Sequence, residues 1–261
     1  MATFTESDDL AASGFTDTSL RGSRFVRCDL GDVVISAVDV AGADIDAPWL
    51  LDGESSLLVN GVDVAPLVEA ELNRRFPGRA ERRATDPDGL RAAWAALERT
   101  WEATLARVAA MPDGTVDVRV DGEWSFAQTL RHLVMATDTW LGRAVLEREQ
   151  PYHPIGQPHA EYATDGYDLS VFATDVPSYA EVLAVRAERV AMVRDLLADV
   201  TADDLRVARR RPWAPEHPVA TLRCLHTILE EEWEHHRYAV RDLDTLDTLD
   251  DLDTPGPAAG A

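Results

Sequence analysis

The stretch TLRCLHTILEEEWEHHRYAVRDL, residues 221–243, decides both the fold class and the candidate site of this chain. At about 100° per residue, its large apolar side chains gather on one side of a helix, as in an amphipathic helix that packs on others. Glu232 and His236 fall near the middle of that apolar side, four residues apart and therefore neighbours. A carboxylate in this position is costly unless it is paired or binds a metal ion.

A second pair with the same spacing, Glu231 and His235, points toward the edge of the apolar side. If the register of the helix shifts by one residue, this pair takes the place of Glu232 and His236. The apolar pattern favours the central pair, so we predict that Glu232 and His236 face the protein interior.

Three further amphipathic patterns place residues 86–243 in an antiparallel bundle of four helices, so the chain is predicted to be mainly α. Ser125 followed by Gln128 predicts a capping box at the start of the second helix. The long connection 148–176 follows that helix, and loops of this length in a compact domain are usually functional. The predicted helices cover about 88–110, 125–147, 178–199 and 218–243.

His132 lies near the buried side of the second predicted helix, so it could share an interior with Glu232 and His236. Imidazole and carboxylate groups suit zinc, nickel, iron or manganese. Three protein ligands would leave a position open for water or substrate, as in catalytic sites. Asp138 and Arg237 are candidate orienting groups. Each residue also has a structural interpretation, as a hydrogen-bonded core histidine or a helix ion pair.

Residues 13–51 repeat with a period of five, which neither a helix nor a strand produces. This pattern resembles the pentapeptide-repeat family, and the resemblance implies a small right-handed β-helix of about two turns. The large residues of the repeat are Phe15, Leu20, Phe25, Leu30, Ile35, Val40, Ile45 and Leu50.

The remaining segments divide the chain further. Residues 1–12 are a leader, and 52–85 are a connection with a hairpin at Asn60-Gly61 and a short helix. Residues 244–261 are acidic, and we expect them to be disordered.

The net charge of -22 argues against nucleic-acid and membrane partners and favours small-molecule substrates. No apolar run approaches the ~20 residues of a membrane span, and no signal peptide is recognisable. Cys28 and Cys224 lie in separate segments, so a disulfide is not expected and a cytoplasmic location is predicted.

The helical region resembles the DinB/YfiT-like superfamily. The resemblance rests on Trp124-Ser125, on His132 within LRHLVMA, on the third-helix sequence 177–197 and on EEWEHHRYAVRDL at 231–243. It implies an up-down-down-up four-helix bundle with one metal-binding histidine on the second helix and a His-x3-His pair on the fourth. His132 and His236 match that pattern, whereas Glu232 stands where the family has a histidine.

The same resemblance implies a metal-dependent enzyme that acts on a small molecule, such as a thiol S-transferase or a related hydrolase or isomerase. The chain is rich in Ala and Arg and lacks Lys, which looks actinobacterial and suggests mycothiol as the thiol cosubstrate. A homodimer is also typical of the family.

Two other functions stay open. Glu232 could mark a degenerate metal site in a non-catalytic scaffold, with the pentapeptide repeats as an interaction module. Alternatively, two histidines and one carboxylate could hold iron, as in non-haem oxygenases.

Overall fold

The protein is described here by a computed structural model. It describes residues 4, 10–51, 55–159, 162–163 and 167–253, with side chains up to 248. The chain divides into two compact units, Met1–Asp46 and Ala47–Ala261. Most of the predicted leader 1–12 lies outside the described residues.

The backbone of the first unit repeats every five residues, like its sequence. Hydrogen-bonded turns recur every ten residues, beginning with Ser13 N–H to the Leu10 carbonyl. The large repeat side chains between Phe15 and Ile45 remain 43–67% exposed, and no strand occurs in the described part of this unit. The pentapeptide β-helix therefore stays a prediction. A positive φ occurs at Ala12, Asp17, Gly22, Arg27, Asp32, Ala37 and Gly42.

The second unit is mainly helical, which confirms the prediction that the chain is mainly α. A hairpin of β1 (Leu58–Val59) and β2 (Val62–Asp63) turns at Asn60-Gly61, both of which have positive φ. The helices are α1 (Ala65–Arg75), α2 (Pro87–Ala109), α3 (Phe126–Thr137), α4 (Tyr179–Asp199) and α5 (Thr221–Asp253). A π-helical segment, Asp138–Val145, continues α3, and β3 (Ala208–Arg209) pairs with β4 (Val219–Ala220) before α5. Short 3-10 helices lie at Pro48–Leu51, Arg79–Arg83, Thr115–Asp117, Leu169–Val171 and Asp204–Arg206.

The helix starts follow from local capping. The Ser125 side chain accepts the Gln128 N–H, and the Gln128 side chain accepts the Ser125 N–H, so the predicted capping box of α3 forms. Ser178 and Glu181 form a second capping box at the start of α4. These caps fix where each helix begins and hence which residues face inward.

Helices α2 and α3 each pack on both α4 and α5, around one hydrophobic core. Its buried members include Leu90, Trp94, Leu97, Trp101, Leu130, Leu133, Val182, Val193, Leu225, Ile228 and Trp233. The last helix runs beyond the predicted end at 243, and Arg107 on α2 pairs with Asp244 and Asp247 there. Part of the predicted acidic tail is therefore helical, and 254–261 lie outside the described residues.

Two arginines of the connecting segment form ion pairs with α1 and α5. Arg79 and Arg82 are buried, and both donate to the carboxylate of Glu69 on α1, at 2.8 and 3.1 Å. Arg79 also lies 3.4 Å from Glu234 on α5. Burial raises the pKa of Glu69, but the hydrogen bonds and charges of the two arginines outweigh it and lower the pKa to about 2.

Glu69→Gln is expected to lower the free energy of unfolding by about 3 kcal/mol at pH 7, because it removes the carboxylate that pairs with buried Arg82 and one of the two that pair with buried Arg79. The folded-state pKa lies below the ordinary value of 4.5, so this stabilisation is present above pH 4.5 and is lost as the pH falls toward about 2. Urea denaturation at pH 7 and near pH 2 measures both effects, and the difference between variant and wild type should shrink in acid. Glu71→Gln is the matched control, because its carboxylate pairs with Arg74 and Arg75 on the surface and its loss should leave the midpoint nearly unchanged.

Candidate metal centre

Three ligand-type side chains converge between α3 and α5. His132, Glu231 and His235 each offer a ligand atom, and these atoms all lie within 4.8 Å of one another. His132 Nε2 lies 3.5 Å and His235 Nδ1 lies 3.4 Å from Glu231 Oε2. The two imidazole rings stack with centroids 4.6 Å apart. The convergence of three ligand atoms within 4.8 Å makes the cluster a candidate metal centre.

The environment of His132 fixes its tautomer. Its Nδ1 lies 3.0 Å from the backbone oxygen of Gln157. A carbonyl oxygen can only accept, so Nδ1 carries the proton, and Nε2 of the neutral ring keeps its lone pair. Metal-ligating histidines usually have this arrangement, in which the second nitrogen donates to a carbonyl or carboxylate.

His235 is oriented in a similar way. Its Nδ1 donates to the backbone oxygen of Glu231, one turn earlier on α5, at 2.9 Å. The half-buried Trp124 packs against both histidine rings, with centroid distances of 4.7 Å to His132 and 6.1 Å to His235. Trp124 therefore covers one side of the cluster and restricts how the two rings can rotate.

The electrostatics favour the protonation states that metal ligands need. Burial raises the pKa of Glu231, but the neighbouring imidazoles of His132 and His235 outweigh it and lower the pKa to about 2. Burial lowers the pKa of His235 to about 4, and the neighbouring His132 contributes to the decrease. At neutral pH the cluster thus offers a carboxylate and an uncharged His235 imidazole. The Glu231 side chain is 32% exposed, so solvent and small molecules can reach it.

The structure does not bring the predicted Glu232 and His236 to this cluster. Glu232 is buried in the core, with both oxygens 2.5 Å from Nη2 of Arg186 on α4. His236 Nε2 lies 2.8 Å from the hydroxyl of Thr104 on α2. Of the predicted ligand set, only His132 lies in the cluster, and the i, i+4 pair beside it is the edge pair. The Arg186 guanidinium supplies the partner that this buried carboxylate requires.

The two predicted orienting residues, Arg237 and Asp138, have different partners. Arg237 donates to Glu234 at 2.9 Å and lies over the ring of Tyr238, so it is engaged on another face of α5. Asp138 is buried and binds both Arg189 and the backbone N–H of His153.

Sequence reasoning missed Arg186 and Gln157. Arg186 had a usable signal, because it lies four residues after Val182 and seven before Val193, on the apolar side of α4. Gln157 acts through its backbone oxygen, which no residue type reveals.

The long loop after the π-helical segment contributes an aromatic cluster beside the centre. His159 packs edge-on against Tyr162 and Trp213 and lies close enough to Glu231 to influence the pKa of that carboxyl. This aromatic cluster comprises Tyr152, Tyr162, Tyr167, Phe172 and Trp213, with Met135 of α3 beneath it. The role of the loop in shaping an entrance stays a prediction.

Fold and site together define a helical protein with a candidate divalent-metal centre made of two histidines and a carboxylate. The chain belongs to the DinB superfamily, whose family model matches residues 96–239, more than half of its length. Comparisons with curated proteins and with solved structures found no match. Among the described residues, no helix is both long and apolar enough to span a membrane.

Proposed function

We propose that His132, Glu231 and His235 bind a divalent transition metal ion, and that the chain is a metal-dependent enzyme acting on a small molecule. The observation that carries the proposal is the convergence of these three side chains within 4.8 Å. The proposed set lies one residue back along α5 from the pair that the apolar pattern favours. Membership of the DinB superfamily supports it, and we propose that the helices adopt the up-down-down-up four-helix arrangement that the resemblance implies.

The donor set fits zinc, nickel, iron or manganese, because imidazole and carboxylate both bind these ions. A bound ion would lower the pKa of a thiol or water molecule and so supply a nucleophile near neutral pH. The protein's own contribution is to hold Glu231 as an anion and both histidines in fixed orientations. The exposed part of Glu231 marks the side from which a substrate would enter.

We propose thiol transfer as the reaction class, with mycothiol as the cosubstrate. In this reaction the thiol gives up its proton, the sulfur bonds to an electrophilic carbon and the leaving group departs with the electron pair of its former bond. The half-buried rings of Tyr152, Tyr167 and Trp213 in the aromatic cluster would contact the electrophile.

The test begins with metal analysis of protein purified without a histidine tag, followed by chelator treatment and titration with Zn²⁺, Ni²⁺, Fe²⁺ and Mn²⁺. We expect one ion per chain and metal-dependent consumption of mycothiol with an aryl halide as the electrophile. Protein that binds no ion after reconstitution would overturn the proposal. Iron-loaded protein that consumes oxygen instead would assign the site to oxygenase chemistry, which the same donor set permits.

The exposed apolar side chains of the first unit favour a second candidate function, as a non-catalytic scaffold. Surfaces of this kind commonly mark interaction sites. Metal binding without any thiol consumption, together with retained partner binding by the His132→Ala variant, would favour this role.

A further inference from the structure

We infer that Asp138 is a positioning residue of the metal centre and acts on His132 through the loop segment 153–157. This inference rests on the proposed metal site, but its structural step can be measured without any metal. Asp138 is the first residue of the π-helical segment, and such segments often occur at functional sites.

Asp138 anchors one end of the loop segment. Its side chain is almost completely buried, and its Oδ2 accepts the backbone N–H of His153 at 2.9 Å. Its other oxygen, Oδ1, accepts from Arg189 Nε on α4 at 2.8 Å. The arginine therefore holds the carboxylate in the orientation in which it binds the loop.

Arg131, the residue before His132, anchors the other end. Its Nε donates to the Ile155 oxygen at 2.8 Å, and its backbone oxygen accepts the Gln157 N–H at 3.1 Å. Between the two anchors, the ring of His153 accepts the Ile155 N–H, and its backbone oxygen accepts the Gly156 N–H. The segment is thus hydrogen-bonded along its length, and these hydrogen bonds connect Asp138 to Gln157.

The segment also has little room to move. A Cβ on Gly156 would lie 2.9 Å from Cε1 of Phe172 and 3.3 Å from Cβ of Met135. At the end of this confined segment, the Gln157 oxygen accepts the Nδ1 proton of His132. Displacing the segment would therefore free the imidazole to change tautomer and to rotate.

A purely structural role for Asp138 would lower stability without changing His132, so the test reads His132 directly. In metal-free protein, the nitrogen chemical shifts of His132 should report the Nδ1-protonated tautomer in wild type and a mixture of tautomers in Asp138→Ala. The Zn²⁺ dissociation constant of Asp138→Ala should rise ~10–100-fold, as is typical for loss of an outer-shell partner. Asp138→Asn keeps an oxygen for the His153 N–H and should stay closer to wild type.

Glu69→Gln is the control, since it removes a partly buried carboxylate that pairs with arginines in the connecting segment. It should lower stability and leave both His132 readouts unchanged. If Asp138→Ala does not fold, Gly156→Ala displaces the same segment and should give the same two effects. The inference would be overturned if Asp138→Ala and Gly156→Ala kept the His132 nitrogen chemical shifts of wild type and bound Zn²⁺ as tightly as Glu69→Gln does. Failure of wild type to bind Zn²⁺ would overturn only the proposed metal site, because the tautomer shifts still decide the positioning role.

Discussion

The Glu231→Gln variant is expected to lose divalent-metal binding while it remains folded at neutral pH. Glutamine keeps the shape of the side chain but removes the anionic ligand from between His132 and His235. Since losing an outer-shell partner can already weaken metal binding ~100-fold, losing a direct ligand should cost more. The fold should tolerate the change, because the Glu231 side chain is partly exposed and pairs only with histidines among the described ion pairs.

The adjacent Glu232 provides the matched comparison. Calorimetric titration of chelator-treated protein with Zn²⁺ should show heat of binding for Glu232→Gln and none for Glu231→Gln. The histidines should behave in parallel, with His235→Ala losing the ion and His236→Ala retaining it. The opposite pattern, with binding lost at positions 232 and 236, would restore the ligand set that the apolar pattern favours.

These two pairs show how far the sequence alone could lead. The apolar side of α5 correctly identified Glu232 and His236 as the buried residues. A pattern on one helix, however, cannot reveal a counter-charge on another, and Arg186 on α4 supplies it. A site that admits a substrate also has to lie where solvent reaches, which favours the edge pair over the central pair.

Other features were predictable because they depend on local sequence. The capping box at Ser125 fixed the start of α3, and with it the inward position of His132. The extension of α5 beyond residue 243 was not predictable, because it involves pairing between Arg107 on α2 and aspartates far along the chain. The five-residue period of the first unit is visible in both sequence and backbone, while its side-chain packing is not encoded in the period.

Glu232→Gln is expected to be the most destabilising of these single changes, lowering the free energy of unfolding by about 3–5 kcal/mol. The Arg186 guanidinium would be left buried without its counter-ion, and its Nη1 already has no hydrogen-bond partner among the described residues. Urea denaturation at pH 7 measures the loss. Arg194→Met is the control, because its pair with Glu98 is solvent-exposed and should contribute about 1 kcal/mol or less.

The double variant Arg186→Met with Glu232→Leu separates the cost of an unpaired charge from the value of the pair. Burying two apolar side chains in place of a buried ion pair is often neutral or stabilising, so the double variant should recover most of the loss. If it instead remains as unstable as Glu232→Gln, the ion pair itself stabilises the core, and the charge-burial explanation is wrong. In either case Glu231 and His235 are unchanged, so Zn²⁺ binding by the folded double variant would show that the metal centre does not require Glu232.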